Sequence, residues 1–119
     1  MEILGLVFAG TSTDERAAMA RFLADTLGLR RAEVAGAEAD MFALPDGSHF
    51  AVADPGGMGE TARSIGFRVD DLDAAIAAIA AAGGETGEVA ENDLGRYAHF
   101  RAPDGNLYEL VEERDRLAR

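Results

Sequence analysis

Two short runs, LGLVF at 4–8 and SIGFRV at 64–69, alternate apolar with small or polar residues. A period of two predicts strands, with Leu4, Leu6 and Phe8 sharing one face of the first and Ile65, Phe67 and Val69 one face of the second. Those faces are expected to cover helices. The first predicted helix opens on Ser12-Thr13-Asp14-Glu15, a capping-box pattern, carries Met19, Phe22, Leu23, Thr26 and Leu27 on one side and stops at Gly28. The second starts near Asp71, turns Leu72, Ile76 and Ile79 inward and stops at Gly83. After each helix come the tripeptide EVA (33–35 and 88–90), a short apolar run, a Pro-Asp-Gly turn and a closing strand.

The two halves therefore read as one module written twice. FALPDGSHFAV (42–52) aligns with FRAPDGNLYEL (100–110) at a constant spacing of 58 residues, matching Phe42 to Phe100, Pro45 to Pro103, Asp46 to Asp104, Gly47 to Gly105 and Phe50 to Tyr108. This predicts a single α+β domain over 1–119: module one at 1–53, a glycine-rich linker at 54–62, module two at 63–112 and a tail at 113–119, either a solvated helical turn or a frayed end. The linker, ADPGGMGETA from 53 to 62, lacks the Gly-Lys-Ser/Thr ending of a phosphate loop.

Composition narrows the chemistry. The chain has no cysteine, which removes disulfides, thiolate nucleophiles and cysteine-based zinc sites. Asp and Glu outnumber Arg and Lys by 22 to 11, and a net charge of −11 repels phosphate backbones, so nucleic acid is not an expected partner. No apolar run reaches the roughly 20 residues of a membrane helix, and the N-terminus lacks a basic leader, so a cytoplasmic protein is expected. The chemistry left must use hydroxyls, arginine, carboxylates or the two histidines, His49 and His99.

One carboxylate stands out within an apolar strand. On the last strand Leu107, Glu109 and Val111 share one face, and Tyr108 and Leu110 the other. If Tyr108 packs under the helices, Glu109 faces away from them, where an unpaired carboxylate is costly. A five-residue loop at 102–106 sets His99 directly opposite Glu109 on the neighbouring strand, and Arg68 is the second available cation. Tyr97 shares the face of His99 and could stack on a planar ligand. Met41 and Met58 either fill the core or line an adaptable pocket. The acidic stretch 83–93 reads as a solvated loop or one lip of a cleft.

The doubled βαβββ order and the ending PDGNLYELVE resemble the vicinal oxygen chelate superfamily, the glyoxalase/bleomycin-resistance/dioxygenase fold, although the usual Asp before the Pro is Ala102. The resemblance implies a curled mixed sheet around a cleft, helices outside, and either a metal-dependent enzyme or a metal-free small-molecule binder. Family enzymes take metal ligands from four strand positions. These carry over to Glu109, Ser64, Ala51 and either Ile3 or Gly5, and a single carboxylate holds a divalent ion weakly. The resemblance thus favours a binder without metal or cofactor, of the antibiotic-sequestering type. Its ligand contacts would be Glu109, His99, Arg68, His49, Ser64 and Tyr97, in a homodimer that accepts an apolar or aromatic ligand; the negative charge is compatible with a cationic one. The alternative is a metal-dependent lyase, isomerase or dioxygenase on a displaced His49, His99 and Glu109 set. A general base at Glu109 oriented by His99, and a fold remnant serving as a dimeric interaction module, stay open.

Overall fold

The computed structural model describes residues 1–114. Module one comprises β1 (Ile3–Ser12), α1 (Arg16–Arg21), a π turn at Phe22–Thr26, β2 (Arg30–Ala32), β3 (Asp40–Ala43) and β4 (His49–Ala53). Module two comprises β5 (Arg63–Val69), α2 (Leu72–Ala81), β6 (Ala90–Asn92), β7 (Gly95–Arg101) and β8 (Leu107–Glu113). All eight strands form one sheet in the order β2-β3-β4-β1-β5-β8-β7-β6. β4 and β8 run parallel to β1 and β5, while the two modules join through an antiparallel β1–β5 seam. The mixed sheet curls into a half-barrel with the helices outside, the architecture that the family resemblance implies. Among the described residues no helix is long and apolar enough to cross a membrane.

The two Pro-Asp-Gly turns make matching hydrogen bonds. Gly47 N–H donates to Leu44 O and Leu44 N–H to Ser48 O; Gly105 N–H donates to Ala102 O and Ala102 N–H to Asn106 O. In each, the Asp of Pro-Asp-Gly accepts from the backbone N–H two residues on. Both turns need a positive φ at their glycine, 87° and 85°, which costs other residues energy.

Each helix covers its own core. Under α1 lie Ala20, Leu23, Phe42 and Val52; under α2 lie Val69, Leu72, Ala75, Ala98 and Leu110. α2 matches its pattern: Asp71 caps it by accepting from Ala74 N–H at 3.1 Å, and Leu72 N–H donates to the Glu112 carboxylate at 2.8 Å.

α1 departs from its pattern. β1 continues through Ser12, which pairs with Ala53, and Thr13 N–H donates to Ala53 O, so the capping box does not form and the helix begins only at Arg16. Thr13 Oγ1 accepts instead from Glu15 N–H. The π turn then widens the spiral, leaving Phe22 and Leu27 exposed while Leu23 stays buried.

β1 departs as well. Its register with β5 shifts between Ile3 and Gly5 and again between Leu6 and Phe8. Leu6 therefore lies opposite Phe67 on the outer surface, whereas Phe8 lies opposite Gly66 and lines the cleft; Leu4, Leu6 and Phe8 do not share a face. At the other end, β8 runs to Glu113, one residue into the expected tail, and residues 115–119 of that tail lie outside the described residues.

Replacing Asp71 by Ala removes the α2 cap and is expected to cost about 1 kcal/mol, measured by urea denaturation. An unchanged midpoint would mean that Glu112 alone secures this helix end.

Candidate functional site

The concave face of the sheet encloses a cavity of about 400 Å³. Its floor is the seam, where Gly10 on β1 pairs with both Ala51 on β4 and Ser64 on β5. One wall is β7 and β8, contributing Tyr97, His99, Glu109 and Val111; opposite them stand Met41 and the 36–39 loop with Glu38. Curling brings the free ends of the modules together: Asp93 N–H donates to Ala35 O at 3.0 Å, so Asn92 and Leu94 from the acidic stretch form part of the lip. Met58, from the linker, completes the lining.

Glu109 and His99 occupy directly opposed positions of β8 and β7, and His99 Nε2 lies 3.1 Å from Glu109 Oε2. The Glu109 side chain is only 12% exposed and that of His99 44%. The hydrogen bond to Glu109 raises the His99 pKa above its ordinary 6.5, against the opposing effect of burial. Tyr97 meets the His99 ring edge-on at 5.9 Å; burial, then the charges of Glu109 and Glu38, hold its phenol above the usual range. With two carboxylates and one imidazole lining the cavity, its potential is negative or neutral.

Two predicted contacts lie elsewhere. Arg68 shares the cleft face of β5 but is ion-paired with Glu113, whose side chain is 1% exposed, so the second cation is not at Glu109. His49 pairs with Phe8 and Ala43 in the sheet and does not line the cavity. The structure brings Glu109, His99, Ser64 and Tyr97 together, and leaves Arg68 and His49 out. The displaced His49, His99 and Glu109 set is not assembled: among the described residues no group of three His, Asp or Glu side chains is placed to hold a metal ion.

The positions that would carry a family metal can be located from the pairing. Ala51 pairs with Gly10 and Glu109 with Gly66; two residues earlier on each first strand stand Phe8 and Ser64. The fourth position is thus Phe8, rather than Ile3 or Gly5, and the bulges in β1 account for the difference. Phe8, Ala51, Ser64 and Glu109 offer one carboxylate, one neutral hydroxyl and two hydrocarbon groups, a donor set that does not fit a divalent ion. The Phe8 ring fills the space over Gly66, where an added Cβ would lie 2.5 Å from its Cδ1.

A two-module curled sheet enclosing a cleft defines the vicinal oxygen chelate architecture. The chain belongs to the Glyoxalase/Bleomycin resistance protein/Dioxygenase superfamily, whose family model matches residues 6–110. Among solved structures it is similar to methylmalonyl-CoA epimerase from Mycobacterium tuberculosis, with TM-score 0.76 and 19% identity over 98% of this chain and 92% of that one. A superfamily member from Vibrio splendidus 12B01 gives TM-score 0.64 and 16% identity over 92% and 97%. A halotolerant catechol dioxygenase gives 0.71 and 22% over 94% of this chain and 40% of its own. No curated protein matches the sequence.

Phe8 was not expected in the cleft, and the recurrence of strand pairing in the two modules points to it once the bulges are known. Met41 and Met58 both line the cavity, one of the two places expected for them.

A raised folded-state pKa means that His99 adds stability fully present below about pH 6.5, lost as pH rises through the raised value. Glu109→Gln is expected to bring the His99 midpoint down toward or below 6.5 in an NMR titration; an unmoved midpoint would show that Glu109 does not hold the imidazolium. Arg68→Met leaves Glu113 buried without its arginine and is expected to destabilise by about 3 kcal/mol in chemical denaturation.

Proposed function

We propose that this protein is a metal-independent small-molecule binder that sequesters an apolar or aromatic ligand, with preference for one bearing a positive charge. The observation that carries this reading is the chemistry of the four metal-ligand positions: Phe8, Ala51 and Ser64 face the cleft where donors would be needed, and Glu109, the one acid, is engaged by His99. A cavity of about 400 Å³ is within the range of small-ligand sites. Phe8, Met41, Met58, Leu94 and Tyr97 supply hydrophobic and polarisable contact, while Glu38 and Glu109 outnumber the one imidazole. Fold neighbours support a small organic ligand in general terms, one having been solved with methylmalonyl-CoA.

Dialysis against EDTA is expected to leave both the melting temperature and the binding of organic cations, measured by calorimetry, unchanged. Stoichiometric divalent metal that survives purification and is lost in Glu109→Gln would overturn the reading in favour of a metal-dependent lyase, isomerase or dioxygenase.

A further inference from the structure

We propose that Met58 is a thioether plug in the cleft beside Ser64 that yields to a primary ammonium group of the ligand, which then bridges Ser64 and Glu109. This inference rests on the small-molecule-binding reading and assigns the ligand's charged end a place within it.

The linker delivers Met58 by an arch pinned at both ends. Arg16 holds Asp54 at 2.8 Å, and Arg101 is ion-paired with Glu60. Between them Gly57 N–H donates to Asp54 O at 2.8 Å and Gly59 N–H to Gly56 O at 3.1 Å, two successive tight turns that point Met58 into the cavity. The thioether lies against the bare backbone of Gly10: a Cβ there would stand 2.8 Å from the Met58 methyl and 3.1 Å from its sulfur. Gly10 is flanked by Ala51 and Ser64, so Met58 covers the centre of the floor.

Beside it the Ser64 hydroxyl is buried, the residue being 4% exposed, and has no hydrogen-bond partner among the described residues. A buried hydroxyl without a partner is unfavourable, and one lining a cavity marks a place for a ligand's polar group. An unbranched methionine lines the same cavity with a side chain that changes rotamer readily. Glu109 faces Gly66, two residues along β5 from Ser64 on the same face, so the hydroxyl and the carboxylate are diagonal neighbours. His99 engages one oxygen of Glu109, and a carboxylate accepts at both. A primary ammonium, with three donors, satisfies Glu109 and Ser64 together; a neutral hydroxyl meets the same atoms without the charge.

The four methionines make the test specific. Met1 and Met19 border grooves on the outer surface, and Met41 and Met58 line the cleft. With the methionine methyls 13C-labelled, titration with benzylamine is expected to shift Met58 most and Met41 less, leaving Met1 and Met19 unmoved. Benzyl alcohol should bind about tenfold more weakly, and Ser64→Ala should weaken benzylamine by about tenfold without lowering the melting temperature. A response at Met41 with Met58 silent, equal affinity for amine and alcohol, or full binding by Ser64→Ala would overturn the plug while leaving cleft binding standing. Response at neither cleft methionine, or at Met1 or Met19 alone, would remove the binding reading itself.

Discussion

The β1–β5 seam is the constraint from which the rest follows. It turns two four-stranded modules into one sheet and places parallel β4 and β8 symmetrically about the join. Its concave side is formed of Gly5, Phe8 and Gly10 facing Arg68, Gly66 and Ser64. Three of those six positions have no side chain, so the middle of the cleft would be bare backbone. Two side chains cover it: Phe8 lies over Gly66 and Met58 over Gly10. Close packing demands such filling, since a void forfeits dispersion contacts on every atom that lines it. A phenyl ring and a thioether thus fill the middle of the cleft beside Ala51, Ser64 and Glu109.

Charge is distributed along β8 by the same strand geometry. Glu109, Glu112 and Glu113 lie within five residues, yet each serves a different surface. Glu112 points outward, where it meets the first N–H of α2 and Arg96. Glu113 points inward and takes Arg68, the least exposed ion pair among the described residues, where an unpaired carboxylate would be costly. Glu109 is left to His99, whose half-exposed ring keeps the pair in contact with the cavity. Arg68 shares a face with both acids; its engagement at Glu113 is what leaves the cavity with an imidazole as its one cationic group.

What could be read from the sequence is local and periodic. The spacing of 58 residues, the Pro-Asp-Gly turns, the start of α2 near Asp71 and the opposition of His99 and Glu109 depend on a few neighbouring residues or on one loop length. What could not be read depends on irregularity or on distant partners. Two bulges in β1 change which residue faces the cleft, and the pairing places Phe8 at the position that the family resemblance carried to Ile3 or Gly5. A capping-box sequence at 12–15 loses to strand pairing, because Ser12 and Thr13 already have backbone partners in Ala53 and Ala62. The entry of Met58 into the cleft depends on Arg16 and Arg101, which are remote in sequence from the linker that they fix.

The overall charge of −11 explains less of the site than its size suggests. Charges spread over the surface are screened within about 8–10 Å at physiological salt, so they act on encounter more than on selection. A carboxylate whose side chain is 12% exposed and held at one oxygen acts differently: its field is screened less, its orientation is fixed before a ligand arrives, and a polar group must replace the water that it gives up. A neutral apolar molecule can fill the hydrocarbon part of the cavity without meeting that demand. A molecule that also carries a donor at the right end meets it, and the same group can partner the Ser64 hydroxyl. On the proposed binding reading, selectivity comes from the pairing of one fixed acid with one buried hydroxyl, and the apolar walls set the size of what can reach them.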